Sequence, residues 1–253
     1  MTAHTDEINE FYRLIEQHRV RLAGGRLLGQ TSGRDGWPQR GVYLLFDPLE
    51  VRSDGVTPRV VRVGTHALTD GFRSTLWGRL RQHRGTTGGQ SPGGGNHRGS
   101  VFRLHVGTAL LSDPAWPEAV RRTWAVGATA DAAVRAGEAA LEQAVSAYLG
   151  TMTVLWIAVD DSPGPDSERR LIERGAISLL SNARSIDPPS SGWLGHRSPK
   201  PAIRTSGLWN VEHVADAPEP RFIEVLSRRM AETPPVHLTS SFPARDNVAT
   251  KPV

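Results

Sequence analysis

Two stretches of this 253-residue chain hold side chains whose types and spacing suit work on an anionic substrate. Arg79 and His83 lie four residues apart, so a helix through them sets a permanent positive charge beside a titratable imidazole. Far downstream, Glu168 opens the segment SERRLIERGAISLLSN, and Glu173 is the competing carboxylate within it. An arginine guanidinium never loses its proton and its planar fork matches phosphoryl oxygens. A carboxylate is a hard oxygen donor, and a single one is compatible with a Mg²⁺ (or Mn²⁺) ion that keeps most of its waters. Imidazole changes charge near neutral pH, which makes His83 or His97 a candidate proton carrier.

The elements that must position these groups are readable from periodicity. Val42 to Phe46 is apolar, with Val42, Leu44 and Phe46 on one face of a strand and Tyr43 and Leu45 on the other. Val60 to Val63 is a second strand, β-branched around Arg62, and it stops at Gly64. Asp70 and Ser74 offer starts for the helix that carries Arg79. Between the strands, the loop from Asp47 to Thr57 contains Asp47, Glu50 and Asp54 and reads as solvated. Residues 5–22 read as an amphipathic helix that packs Ile8, Phe11, Tyr12 and Ile15 on the core. Residues 85–99 are glycine-rich and lack a G-K-[ST] sequence, so they are no Walker loop; backbone N–H groups there, with Asn96, His97 and Arg98, suit a phosphate clamp or a plain linker. Ser100 to Leu111 alternates and reads as a strand carrying His105. Asp113 to Arg122 is expected as a short helix, and Thr129 to Leu149 as a longer one with Glu138 and Glu142 exposed. TVLWIAV, 153–159, is expected as a buried strand joining the first hairpin, and Asp166 or Ser167 as the cap of the helix beginning at Glu168. Beyond Pro188 the chain is loop-like with Trp193 and Trp209 as anchors, Arg221 to Arg229 is a short helix, and the Pro- and Ser-rich tail is expected to be disordered.

Charge adds a second line of argument. Of 30 basic residues only Lys200 and Lys251 are lysines. Between Gly71 and Ser112 there is no Asp or Glu, while Arg73, Arg79, Arg81, Arg84, Arg98 and Arg103 fall there with His83, His97 and His105. A basic segment of this kind around the Arg79 helix suits a polyanion. The absence of cysteine excludes a disulfide framework and cysteine zinc sites. His66, His83 and His97 match no standard zinc spacing. No signal-peptide pattern or membrane-length apolar run is visible, so a cytoplasmic, soluble protein without membrane partners is expected.

Taken in order, GVY at 41–43, Arg62-Val63-Gly64, Arg79-x-x-x-His83 and Glu168-x-x-Leu171-Ile172 with Asn182 resemble the blocks of the GIY-YIG nuclease superfamily, over roughly residues 37–185. The resemblance implies an α/β (α+β) fold with a small mixed β-sheet flanked by helices. It implies a nuclease domain over 37–187 with an insertion at about 84–150, an N-terminal helix and connector over 1–36, a packed segment over 188–232 and a tail over 233–253. It further implies a metal-dependent endonuclease acting on nucleic acid, with double-stranded DNA as the expected partner. Tyr43, Arg79, His83, Glu168 and Asn182 would be catalytic, with Glu168 on Mg²⁺ and Tyr43 orienting or deprotonating water. Arg62, His66, Arg81, Arg84, Asn96, His97 and Arg98 would hold substrate. The chain departs from the family at one telling place: Arg62 stands where the second motif tyrosine would be, and an arginine cannot act as a base. His66 or His83 would then compensate, or the fold would bind nucleic acid without cutting it. A structural or protein-interaction role is the alternative from another class.

Overall fold

The computed structural model describes residues 2–69, 71, 74–86, 93–182, 186–217, 219 and 221–236. Four strands, β1 (Arg26–Leu27), β2 (Gly41–Val51), β3 (Pro58–Gly64) and β4 (Thr153–Ala158), pair in the order β1-β4-β2-β3. The helices-on-a-sheet class expected from the sequence is the one adopted. Within it every pairing is antiparallel rather than mixed, because β4 returns alongside β2 in the opposite sense. Among the described residues, eight α-helices surround the sheet: α1 (Thr2–Arg21), α2 (Leu76–Arg84), α3 (Val101–Leu110), α4 (Glu118–Thr123), α5 (Ala132–Gly150), α6 (Glu168–Asn182), α7 (Pro201–Ser206) and α8 (Phe222–Glu232).

The alternation in β2 does not separate a wet face from a dry one: Val42 to Phe46 are all buried. Both faces are covered, which is why the strand is apolar throughout. Arg19 of α1 lies over the Phe46 ring on one side, and His83 of α2 meets Tyr43 on the other. α6 packs on β2 and β3, and α8 on β4. α1 buries Ile8, Phe11, Tyr12 and Ile15 as its stripe predicts, and the Tyr12 hydroxyl accepts the Val60 N–H. The exposed edge of β3 is closed by the C-terminal segment. Trp209 N–H donates to Val61 O at 2.8 Å, and the Asn210 side chain both accepts from Val63 N–H and donates to Val63 O. Trp193 and Trp209 are buried anchors, as expected.

Several local expectations are corrected. Residues 101–110 form helix α3, not a strand: the Ser100 hydroxyl accepts the Arg103 N–H at its start, and Phe102, Val106 and Ala109 fall on one buried helical face. β2 runs on to Val51, so Asp47 and Glu50 are buried rather than solvated; Tyr148 Oη donates to Asp47, and Glu50 pairs with Arg59 at 2.6 Å. Glu138 and Glu142 face inward from α5, because buried arginines wait for them there. Asp161, rather than Asp166 or Ser167, receives the Glu168 N–H. Thr75 caps α2 in place of Ser74, and Asp70 lies outside the described residues. The start of the tail is held in place, with Thr233 fully buried and Val236 N–H on Arg21 O, while 237–253 lie outside the described residues.

Candidate active site

The β2–β3 hairpin, α2, α3, α6 and the segment after Trp209 enclose a cavity of about 220 Å³. Arg62 from β3, Arg79 from α2, His105 from α3, Glu173 from α6, and Asn210, Glu212 and His213 supply its polar lining. Two guanidinium groups therefore share one cavity with two carboxylates, Glu173 and Glu212. Arg62 is fixed there: its Nη1 donates to Trp209 O at 2.8 Å, and its guanidinium lies 4.6 Å from the centre of the Phe102 ring. Arg79 is half-buried, with Nη1 on Gln82 at 3.1 Å. Glu173 accepts the Thr65 N–H on Oε1 at 3.1 Å. Burial pushes its pKa up, against the pull of Arg62 and of that N–H, so its anionic form lacks solvation and is suited to a cation. Burial, then Arg62 and Lys200, hold His105 down at about 4, which keeps it neutral.

Behind the cavity lies a fully buried line of groups. Tyr43 Oη and His83 Nε2 are 2.7 Å apart, and His83 Nδ1 is 2.8 Å from Ser100 Oγ. The hairpin register sets Tyr43 opposite Gly64, and only glycine fits there, since a Cβ would lie 2.3 Å from the Tyr43 hydroxyl. Tyr43 and His83 are both 0 % exposed. Burial first, and then Arg79, Arg62 and Arg103, hold the His83 pKa well below the ordinary histidine value. Residues of α3 and α5 clamp this line. Arg103, itself fully buried, donates to His83 O at 2.9 Å and to Glu142 of α5 through Nε and Nη2. Glu142 also accepts from His97 N–H and Nδ1, and His97 stacks on Trp124 with ring centres 3.7 Å apart.

The sequence candidates therefore divide. Arg62 and Arg79 line the cavity, and Tyr43 and His83 support it from behind. Glu168 does not reach it. Its two oxygens take Arg228 Nη2 and Arg229 Nε on the outer side of α6, and those pairs, opposed by burial, hold its pKa low. The carboxylate that α6 turns to the cavity is Glu173, five residues on, because a five-residue step rotates a helix by well over a quarter turn; Glu212 lines the cavity from the segment after Trp209. Asn182 closes α6, and its side chain lies outside the described residues. His66 donates Nδ1–H to Ser74 O at 2.9 Å, and burial lowers its pKa to about 4. His97 and Arg98 are internal: His97 is committed to Glu142, and Arg98 forms a two-pronged pair with Glu138 at 2.6 and 2.9 Å. Arg84 donates to Thr31 O and lies 5.1 Å from the Trp77 ring centre. Arg81 and Asn96 are exposed and line a second hollow of about 590 Å³ with Gln82, Arg84, Thr86 and glycines 85, 95 and 99. The basic excess of 71–112 is thus partly spent inside the protein, on Glu138 and Glu142. Sequence reasoning missed His105, Asn210, Glu212 and His213 as cavity residues. For His105 a helical reading of 101–110 was the available signal; for the other three there was none.

The order of strands, the GVY strand against Gly64, and the arginine helix facing a glutamate helix define an α/β domain with a cavity lined by Arg62, Arg79, Glu173 and Glu212. A family model described as "GIY-YIG domain" matches residues 2–236, and the chain belongs to that family. No curated protein and no solved structure matches it.

Proposed function

We propose that this protein is a metal-dependent endonuclease that hydrolyses phosphodiester bonds, with double-stranded DNA as its substrate. Family membership points to nuclease chemistry, and the observation that carries the reading is the gathering of Arg62, Arg79 and Glu173 in one cavity. Arg79 is set to stabilise charge building on the phosphoryl oxygens. Arg62, already fixed by a carbonyl and a ring, offers a second guanidinium that needs no reorganisation to receive a phosphate. Glu173 would hold one divalent cation, Mg²⁺ or Mn²⁺, mostly through its waters; the group of three ligating side chains that a dedicated metal cage needs is absent among the described residues. Bound there, the cation would supply Lewis-acid stabilisation of the phosphoryl group. Tyr43 and His83 act as positioning residues. Burial makes His83 a weak proton acceptor, and the wholly buried pair is better read as a fixed support for Gly64 and the hairpin.

No helix among the described residues is long and apolar enough to cross a membrane. The test is incubation with supercoiled plasmid. Nicking with Mg²⁺ that stops with a chelator is expected; intact plasmid under every divalent cation refutes hydrolysis. Salt-dependent duplex binding without nicking would establish the second reading, a binding protein on the same fold, which the arginine at position 62 favours.

A further inference from the structure

We propose that His213, held by Asp216, is the proton acceptor for the attacking water, a role that neither of the motif tyrosine positions fills in this chain. The proposal rests on the hydrolytic reading above. Arg62 occupies one of those positions and cannot accept a proton. The other, Tyr43, is wholly buried against His83. The histidines nearest in sequence do not replace them. His83 has both ring nitrogens engaged in the interior, and His66 gives Nδ1–H to Ser74 O and is itself buried. His105 lines the cavity but burial leaves it a weak base, at about 4. Glu173 is assigned to the cation.

His213 differs from all of these. It lines the same cavity as Arg62, Arg79 and Glu173, and about a third of its side chain is exposed. Its Nδ1 is 2.8 Å from Asp216 Oδ2. The same Oδ2 accepts from Arg174 Nε at 2.8 Å, and Arg174 follows Glu173 on α6. Asp216 therefore fixes Nδ1 as the protonated nitrogen and leaves the Nε2 lone pair as the basic one. The segment is pinned three residues upstream by the Asn210 clamp on Val63. The backbone of His213 is in the left-handed region, at φ 63°, a conformation that costs a non-glycine residue about 1 kcal/mol and that concentrates at functional sites.

In the step assigned to it, Nε2 takes one proton from water while the water oxygen bonds to phosphorus. The bond from phosphorus to the leaving bridging oxygen breaks, and that oxygen takes a proton from solvent. The imidazolium, still bonded through Nδ1–H to Asp216, then releases its proton to solvent. The sum is one water added across one phosphodiester.

The experiment uses the full chain with His213→Gly. Glycine adopts φ 63° without strain, so the thermal midpoint is expected at or above that of the parent. Duplex affinity should be unchanged and plasmid nicking at saturation should fall by about 10²–10⁴-fold, the usual contribution of a positioned base. Added imidazole should restore part of the rate, and across substituted imidazoles the restored rate should rise with their basicity. Asp216→Asn should lower the rate too, without changing affinity. Unchanged nicking by His213→Gly overturns the proposal, as does a loss that no imidazole restores or a restoration that falls with basicity. In each of those cases the parent chain still nicks, so the hydrolytic reading stands; a parent chain that never nicks fails both.

Discussion

Glu173 and Glu168 sit on one helix and differ in what they face, which makes their exchange for glutamine the sharpest test of the site. Glu173→Gln keeps the side chain's shape and the oxygen that accepts from Thr65 N–H, and removes only the charge. If that charge holds the divalent cation, its loss forfeits about 4 kcal/mol of transition-state stabilisation, or roughly 10³-fold in nicking rate. Stability should move the other way. Burial raises the Glu173 pKa, so the folded protein disfavours its anion at neutral pH; the amide removes that penalty, and the midpoint should rise. Mg²⁺ should raise the midpoint of the parent and not of the variant, by linkage to the folded state. Glu168→Gln breaks pairs to Arg228 and Arg229 in which the carboxylate is 27 % exposed, worth about 0.2–1 kcal/mol each after solvent screening. It should unfold slightly earlier and nick at the parental rate. Plasmid nicking and thermal unfolding, each with Mg²⁺ and with a chelator, read all four quantities. A dead Glu168→Gln with an unshifted midpoint, or a Glu173→Gln that nicks normally, refutes the assignment.

Arg79→Ala should cost about two to three orders of magnitude in turnover, with lysine restoring only part, whereas Arg62→Ala should weaken substrate binding and leave saturated turnover nearly intact; a kcat and KM split separates them. Arg81→Ala should lower the slope of log affinity against log salt by about one, while Arg98→Ala, which strips Glu138 of its partner, should alter stability and leave the slope alone; titrations at several salt concentrations decide. Glu142→Leu strands the buried Arg103 and should cost about 3–5 kcal/mol in urea unfolding. His66 and His105 are lowered to about 4, so their neutral forms stabilise the fold above pH 6.5. That contribution, on the order of 1–2 kcal/mol each, should be lost as pH falls from 6.5 towards 4, and His105→Asn should flatten the decline measured by chemical denaturation.

The sequence alone carried everything that depends on local periodicity or on short spacing. The β2–β3 hairpin, the Arg79–His83 helix, strand β4 and helix α6 were legible because one or two turns of pattern suffice to specify them, and the order of the motif blocks was enough to indicate the family. What it left undecided turned on which way a residue faces and what comes to meet it. Ser100 to Leu111 fits both periods, and the capping hydroxyl with the burial of Phe102, Val106 and Ala109 made it a helix. Glu138 and Glu142 read as surface charges until Arg98 and Arg103, some forty residues earlier, met them in the interior, so that much of an apparently nucleic-acid-binding charge cluster became internal ion pairing. Glu168 and Glu173 are equivalent as letters on a helix; only the packing of α6 against β2 and β3 turned one to the cavity and the other to Arg228 and Arg229. His213 reached the cavity through the pairing of residues 209–210 with the edge of β3, a contact across roughly 150 positions that only the folded chain determines, because hydrogen-bonding groups left open on a strand edge accept a partner from any part of the sequence that the fold delivers to them.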